Sequence, residues 1–587
     1  MGERTRRSKH GSASDGRLRA LHIGAIVFAL TIVARLFLLQ VVDHDIYQAL
    51  ASGQHEIFRE LFPERGDILV HDGKDGVLVP IATNQQLAFV YADPRHIEDP
   101  IGAARALGEL FAYDEEKILA LAERLSDQED PYEPIERRVS DAMLASVLEL
   151  ELPGIAYVRE TTRLYPEAEM SGHVIGFLGS DVDGTLAGKY GIEGYFNTEL
   201  SGTPGFLRSE QDISGRLIAI GDRSFEPAVD GADIVLTIDR TIQYVACSAL
   251  HAAVARHGAD SGSVVILEPS TGRVLAMCGA PDFDPNHFGD VASIDVFNNP
   301  AIFSAYEPGS IFKPVTIGAA LDTGAITPTT MFEDTGSLMI DDWPKPIMNA
   351  EGKIYGVVDM TTALEESINT GMIFAMREMG QEPFVEYVKN FGFGERTGIE
   401  LETEMPGDIS SLDLGPEIYA ATATFGQGIT TTPLQMAAAY AAIANGGMLK
   451  TPYIVDEVRF SDGTVEARSP VDVRRVLESK TARLLGAMLV SVVEEGHGTR
   501  AGVPGYYIAG KTGTAQVAKS DGTGYDEFKT IGSFAGFGPV EDPQFAMVVR
   551  LDNPKDVKWA ESTAAPLFGE IATFLLRYFE VPPTRPL

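Results

Sequence analysis

Cysteine is almost missing from this 587-residue chain. It has two, Cys247 and Cys278, so no disulfide framework can carry the fold, and the gap between them does not decide whether they pair. The eleven histidines are scattered, with no HExxH and no Cys/His group at zinc spacing, which argues against a metalloenzyme. Positive charge is scarce as well. Lys and Arg number 47 against 84 Asp and Glu, a net charge of −37. Phosphates would be repelled by such a surface, which argues against a nucleic-acid partner. Internal repeats and low-complexity tracts are absent, and one apolar run alone has bilayer length, so a multi-pass membrane protein, a collagen-like chain and disorder throughout are excluded. The rest is ordinary for folded protein, 44% hydrophobic and 22% charged, with length for about two to four domains of roughly 100–200 residues each.

Residues 1–20 run against the overall charge: Arg4, Arg6, Arg7, Lys9, Arg17 and Arg19 face Glu3 and Asp15. The apolar run 21–42 follows, broken once by Arg35. As a helix it would be about 33 Å long at about 1.5 Å per residue, enough to cross a bilayer. Basic flanks stay on the cytoplasmic side, so 1–20 is expected as a cytoplasmic tail, 21–42 as a single anchor, and the remainder outside. Leu36-Phe-Leu-Leu-Gln-Val-Val42 offers no small residues for a signal-peptide cut. Arg35 would cost about 2.5–3.5 kcal/mol at the centre of a span, but lies past the middle and can snorkel to the far interface.

From 43 to 230 short strand-like runs, Gln86-Leu-Ala-Phe-Val-Tyr-Ala92 and Gly154-Ile-Ala-Tyr-Val158, flank a stretch from 100 to 150 with helical apolar spacing at Leu107, Leu110, Phe111, Ile118, Leu119 and Leu121. Gly/Pro punctuation at 201–205 and 226–231 sets a boundary near 230. Beyond it, 231–587 reads as one α/β sandwich with strands at both ends and helices between. Ser263-Val-Val-Ile-Leu-Glu268 and Arg273-Val-Leu-Ala-Met277 form a hairpin about a Gly/Pro turn. Thr432-Pro433 starts a helix that Asn445-Gly-Gly447 stops. Strands follow at 510–515 and 545–551, and a closing helix at 564–579.

Three segments of this second part carry chemistry together. In Glu307-Pro-Gly-Ser310-Ile-Phe-Lys313 the Pro-Gly break puts Ser310 near a helix start, with Lys313 on the same face at i+3. Serine needs a base to attack, and lysine becomes one when burial and a second cation lower its pKa. Alone, S-x-x-K is commonplace, and a capped helix with a surface lysine is its plain reading. In Ser367-Ile-Asn369 the serine could relay a proton and the amide hold a substrate. Gly505-Tyr-Tyr-Ile-Ala-Gly510-Lys511-Thr512 literally fits the phosphate-binding G-x-x-x-x-G-K-[ST]. Its Tyr-Tyr-Ile-Ala reads as strand, however, and Gly513 disfavours the helix a P-loop must open. As a strand it offers the cation of Lys511 and, at Gly513, close approach of a substrate backbone. The paired acids Glu365-Glu366 and Asp341-Asp342 read as solvated surface.

The order S-x-x-K, S-x-N, K-T-G is the serine acyl-transferase signature of penicillin-binding proteins and serine β-lactamases, and Ser-Ile-Asn is nearer the former. The chain resembles a class B penicillin-binding protein, a monofunctional peptidoglycan D,D-transpeptidase, over nearly its full length. Further similar segments are Arg65-Gly-Asp-Ile68, Arg163-Leu-Tyr-Pro166, His173-Val-Ile-Gly176, Tyr190-Gly-Ile-Glu-Gly194, Thr271-Gly272, Asp284-Pro-Asn286, Phe425-Gly-Gln-Gly428 and Ser533-Phe-Ala-Gly536. Val70-His-Asp-Gly-Lys-Asp-Gly76 departs from the family's usual Asp-Arg-Asn-Gly-like turn. The resemblance implies an α+β or α/β chain with one transmembrane helix, an elongated mixed pedestal (dimerisation-like) domain at 43–230, and a serine β-lactamase-like transpeptidase domain at 231–587. It implies that Ser310 attacks the penultimate D-Ala carbonyl with Lys313 as base, that Ser367 moves protons, and that Asn369 orients the substrate. Lys511 with Thr512, Gly513 and Thr514 would take the terminal carboxylate, and the N–H groups of Ser310 and Thr514 would hold the oxyanion. No metal or organic cofactor is implied. Stem peptides, β-lactams, a multi-pass membrane glycosyltransferase and other division proteins are the implied partners. Val90-Tyr-Ala-Asp-Pro-Arg95 and His173-Val-Ile-Gly-Phe177 look more like the cell-division type than the elongation type. A β-lactamase would have little use for an anchor and pedestal, a bifunctional synthase would need a glycosyltransferase segment before 230, and a β-lactam-binding sensor would bind without turnover.

Overall fold

The computed structural model describes residues 12–37, 56–74, 76–181, 184–210, 224–340, 343–519 and 524–586. Helix α1, Ser12–Phe37, covers most of the expected anchor, and residues 21–37 are exposed along their whole length. Among the described residues no helix is long and apolar enough to cross a membrane. Residues 38–42, the end of the expected span, lie outside the described residues, as do 1–11 of the expected tail and Asp341-Asp342.

The chain divides into two units. One comprises Met1–Pro63 and Gly202–Asp230, the other Glu64–Ser201 and Gly231–Leu587. Of the three junctions, those at 201/202 and 230/231 fall at the Gly/Pro punctuation noted above. The smaller unit holds α1 and a three-stranded sheet in which Gly205–Glu210 lies between Glu56–Leu61 and Ser224–Glu226.

In the larger unit, β1 (Ile68–Asp72), β2 (Val77–Ala92), β3 (Glu133–Val139) and β4 (Ile155–Leu164) join β5 (Asp233–Asp239) in one sheet. Strand β1 runs parallel to β5 and antiparallel to β2, which pairs with both β3 and β4. The stretch expected as helical from 100 to 150 is three helices, Pro100–Leu110, Glu115–Leu125 and Asp141–Glu149, with β3 between the last two. In β3, Glu133, Ile135 and Val139 are buried while Pro134 and Arg137 are exposed, and Pro134 and Glu136 pair with β2. That largely two-residue rhythm is strand chemistry within a helical context.

Several segments of the resemblance meet here around one carboxylate. Glu193, fully buried, accepts from Arg65 Nε at 2.8 Å and from Arg163 Nε at 2.8 Å. Asn286 in turn clasps Tyr165, accepting from its N–H at 3.0 Å and donating to its carbonyl at 2.9 Å. Burial of an ion holds only when it is paired and hydrogen-bonded, and two guanidiniums satisfy Glu193.

After β5 come α2 (Arg240–His257), β6 (Ser261–Leu267) and β7 (Val274–Ala280), then α3 (Lys313–Asp322), α4 (Asn369–Met379), α5 (Pro433–Ala444) and α6 (Ser479–Glu494). The chain closes with β8 (Ala509–Ala518), β9 (Tyr525–Gly538), β10 (Phe545–Asp552) and α7 (Ala564–Tyr578). The five strands form an antiparallel sheet in the order β7-β6-β10-β9-β8. Early and late strands are thereby interleaved, as the sandwich reading required. Every residue of β7 is buried, and β10 is buried from Phe545 to Leu551, because helices cover both faces: α5 on one, α2 and α7 on the other. Helix α5 carries a full capping box, Thr432 with Gln435, and lies buried in the core. Cys247 of α2 and Cys278 of β7 form a disulfide with Cα atoms 5.3 Å apart, tying helix to sheet.

Candidate active site

Ser310 lies in the single 3-10 turn Gly309–Phe312 that runs into α3. The Gly309 N–H donates to Gly426 O at 3.0 Å. A side chain at Gly426 (φ +77°) would meet Gly309 O at 2.3 Å, so the Phe425-Gly-Gln-Gly turn clamps the backbone of the nucleophile turn. On the other flank runs β8, where a Cβ on Gly513 would lie 2.9 Å from Ile311 Cγ2 and 3.1 Å from Ile311 N. The close approach at Gly513, expected of a substrate backbone, is made instead by the chain's own serine turn.

The three motifs converge. Ser367 Oγ and Ser310 Oγ are in hydrogen-bond contact at 3.0 Å. Lys313 Nζ lies 3.0 Å from Ser367 Oγ, 2.5 Å from Ser367 O and 2.8 Å from Asn369 Oδ1. Ser367 stands at φ +58°, a left-handed conformation costing a residue with a side chain roughly 1–3 kcal/mol. There both its carbonyl and its hydroxyl face the lysine. The described hydrogen bonds therefore link Ser310 to Lys313 through Ser367. Asn369 begins α4, and its Nδ2 donates to Met348 O at 2.9 Å. With the NH₂ side anchored, Oδ1 is the atom that meets Lys313.

Both lysines are fully buried. Burial, and then the charge of Lys511, hold the Lys313 amine well below its ordinary range. The Lys511 amine is pulled down to about 7 by burial, against the opposing pull of Glu561 and Glu366. It donates to Thr512 O at 3.2 Å and lies 3.4 Å from Thr512 Oγ1. The amine is thus buried against Thr512, while Thr512 and Thr514 line the cleft. That cleft, about 240 Å³, is also lined by Ser310, Ser367 and Asn369. Strand geometry settles the P-loop motif: 509–518 is extended and paired to β9, with Gly513 opposite Ser533, and opens no helix.

Glu366, His497 and Glu561 also line the cleft. Glu366, expected as solvated surface, keeps a part-exposed side chain but lines the cleft and sits 3.8 Å from His497 Nε2. His497 Nδ1 meets Glu561 at 3.0 Å. Glu365, its neighbour, accepts from the Ser491 hydroxyl. Adjacency to Ser367 was a signal for Glu366. His497, in the turn after α6, and Glu561, in the 3-10 turn Ala560–Ser562, are distant in sequence and had none. Among the described residues no group of three His, Cys, Asp or Glu is placed to hold a metal.

Residues 262–573 match the family model of the penicillin binding protein transpeptidase domain, and 60–236 that of the penicillin-binding protein dimerisation domain. Stage V sporulation protein D of Bacillus subtilis is 34% identical over 94% of this chain and 84% of its own length. The peptidoglycan D,D-transpeptidase FtsI of Escherichia coli is 28% identical, covering 98% of this chain and 94% of that one. The crystal structure of penicillin binding protein 3 from Mycobacterium tuberculosis complexed with aztreonam superposes with a TM-score of 0.68 at 27% identity, over 90% of this chain and 99% of that one. The chain belongs to the class B penicillin-binding proteins.

Proposed function

We propose that Ser310 is the acyl nucleophile of this peptidoglycan D,D-transpeptidase, and that the Ser310–Ser367–Lys313 chain is its proton path. The observation that carries this reading is the buried lysine amine 3.0 Å from Ser367 Oγ, itself 3.0 Å from Ser310 Oγ. A neutral Lys313 donates to Ser367 O and Asn369 Oδ1 and keeps a lone pair for the proton that leaves Ser310 through Ser367. Ser310 Oγ then bonds to the penultimate D-Ala carbonyl. The backbone N–H groups of Ser310 and Thr514 hold the oxyanion, each such donor being worth about 2.7–4 kcal/mol. Collapse breaks the D-Ala–D-Ala amide, and the proton returns along the same path to the leaving amine. A stem-peptide amine next attacks the ester, giving the crosslink and restoring Ser310. Thr512 and Thr514 receive the terminal carboxylate, Gly513 keeps their strand against the serine turn, and Lys511 supplies the charge behind them. β-Lactams acylate Ser310 by the first half of this sequence.

The chain is read as a pedestal domain at 43–230 and a transpeptidase domain at 231–587, with 1–20 as cytoplasmic tail and 21–42 as membrane anchor. The family matches, 60–236 and 262–573, support the division. The apolar side chains exposed all round α1, among them Ile23, Val27, Phe28, Leu30 and Val33, support the anchor. A disulfide inside the catalytic part suits an oxidising, extracytoplasmic compartment. The segments at 90–95 and 173–177 favour work at the division septum beside a multi-pass glycosyltransferase. Fluorescent penicillin tests the central reading: it labels the full chain purified in detergent and leaves Ser310→Ala unlabelled. Label persisting in that variant displaces Ser310.

A further inference from the structure

Below the cleft lies a carboxylate that none of the three motifs contains. Asp334 ends the strand Met331–Asp334 and is buried. It receives four donors from three separate segments: the Gly336 N–H at 3.0 Å, Asn349 Nδ2 at 2.9 Å, the Tyr355 N–H at 2.8 Å and the Thr370 hydroxyl at 2.6 Å. Burial alone would raise its pKa, but these hydrogen bonds outweigh that and hold it below the ordinary carboxylate range.

Two of its partners lead directly to the site. Thr370 follows Asn369 in the first turn of α4. Asn349 follows Met348, whose carbonyl fixes the Asn369 amide, and Asn349 Oδ1 accepts from the Thr370 N–H at 3.2 Å. Asp334 thus grips both sides of the Asn369–Met348 contact. Were that contact to loosen, the Asn369 amide could turn its NH₂ toward Lys313, donor against donor.

We infer that Asp334 is a positioning residue for the transfer reaction: through Thr370 and Asn349 it fixes the orientation of Asn369, and through Asn369 that of the Lys313 amine. The inference rests on the assignment of Ser310 and Lys313 above. The charged group facing Lys313 is Lys511 from β8, itself under the influence of Glu366 and Glu561. Glu351, Glu366 and Asp334 all act on the Tyr355 phenol beside the carboxylate.

The test is the acylation rate of the full chain in detergent with fluorescent penicillin across pH, for wild type, Asp334→Asn, Thr370→Val, Thr370→Ser and Ser310→Ala. Misplacement of a reacting group by about 1 Å costs about 100-fold, so Asp334→Asn is expected to slow acylation about 10- to 100-fold, and Thr370→Val less. Asn369 Oδ1 stabilises the ammonium form of Lys313, so losing that acceptor lowers the lysine pKa and moves the acid limb of the rate profile to lower pH in both variants. Thr370→Ser, which keeps the hydroxyl, restores the limb. A purely structural role would reduce the amount of competent enzyme and leave the limb in place. Thr370→Val removes one donor at nearly constant volume and no charge, so it carries the test independently of how Asp334→Asn folds. An unmoved limb with Ser310→Ala unlabelled overturns the role of Asp334 alone, whereas label surviving in Ser310→Ala overturns the assignment beneath it.

Discussion

At the scale of single residues, the site is two buried amines set against the solvation that lysine prefers. In the unfolded chain Lys511 titrates near 10.4, but folded it is drawn down to about 7 by burial. Below about 7 both states are protonated and the folded state bears the full cost of the buried charge. Between about 7 and 10 the unfolded state binds more protons, so stability rises with pH, and above that range the cost is gone. Lys511→Met should therefore melt higher than wild type at pH 6, with the gap closing as pH rises toward 9 while acylation is lost. Each kcal/mol corresponds to roughly 2–4 °C for a domain of about 150–250 residues, and thermal melts of the two proteins across that range read it directly. The meeting of Ser310, Lys313, Ser367 and Asn369 was legible because their spacing follows from one helix turn and one turn-to-helix junction. The contact of the Lys511 amine with Thr512 was not, since alternation along a strand gives the side of a residue but not the reach of a long side chain. The cleft position of Glu366 was not legible, because acidity in sequence does not distinguish open solvent from a cleft wall.

Among elements, the hairpin of β6 and β7, the capped α5, strands β8 and β10 and the closing α7 all stand where turn chemistry and periodicity put them. The exception is β3, a seven-residue strand inside a helical neighbourhood, where tertiary pairing with β2 overrides the helical spacing on either side. The Cys247–Cys278 bridge was undecidable from two isolated cysteines, since pairing depends on α2 packing against β7. It closes a loop of 31 residues, for which the chain-entropy argument gives about 3–4 kcal/mol. Cys247→Ser, or the wild type under reductant, should lose stability of that order in denaturant melts. An unchanged midpoint would mean that the bridge does not constrain the unfolded chain.

For the molecule as a whole, sequence order and spatial order part company. Residues 64–201 belong with 231–587 in one unit, and β1 to β4 share a sheet with β5. A linear boundary near 230 could not express this, because β1 pairs with β5 across more than 150 intervening residues, beyond any local signal. The net charge of −37 suits a chain kept from anionic lipid headgroups except at its basic start. A fluorescent fusion of the full chain should therefore fractionate with membranes and gather at the division site, and deletion of 1–42 should release it to the soluble fraction. A deletion that leaves it in the membrane would place the anchor elsewhere.

The most direct measurement is mass spectrometry of the full chain after brief exposure to a penicillin. A single adduct of the antibiotic's mass on the peptide containing Ser310, absent from Ser310→Ala, is the predicted result. An adduct on any other residue, or none in protein whose melt shows it folded, would contradict the account.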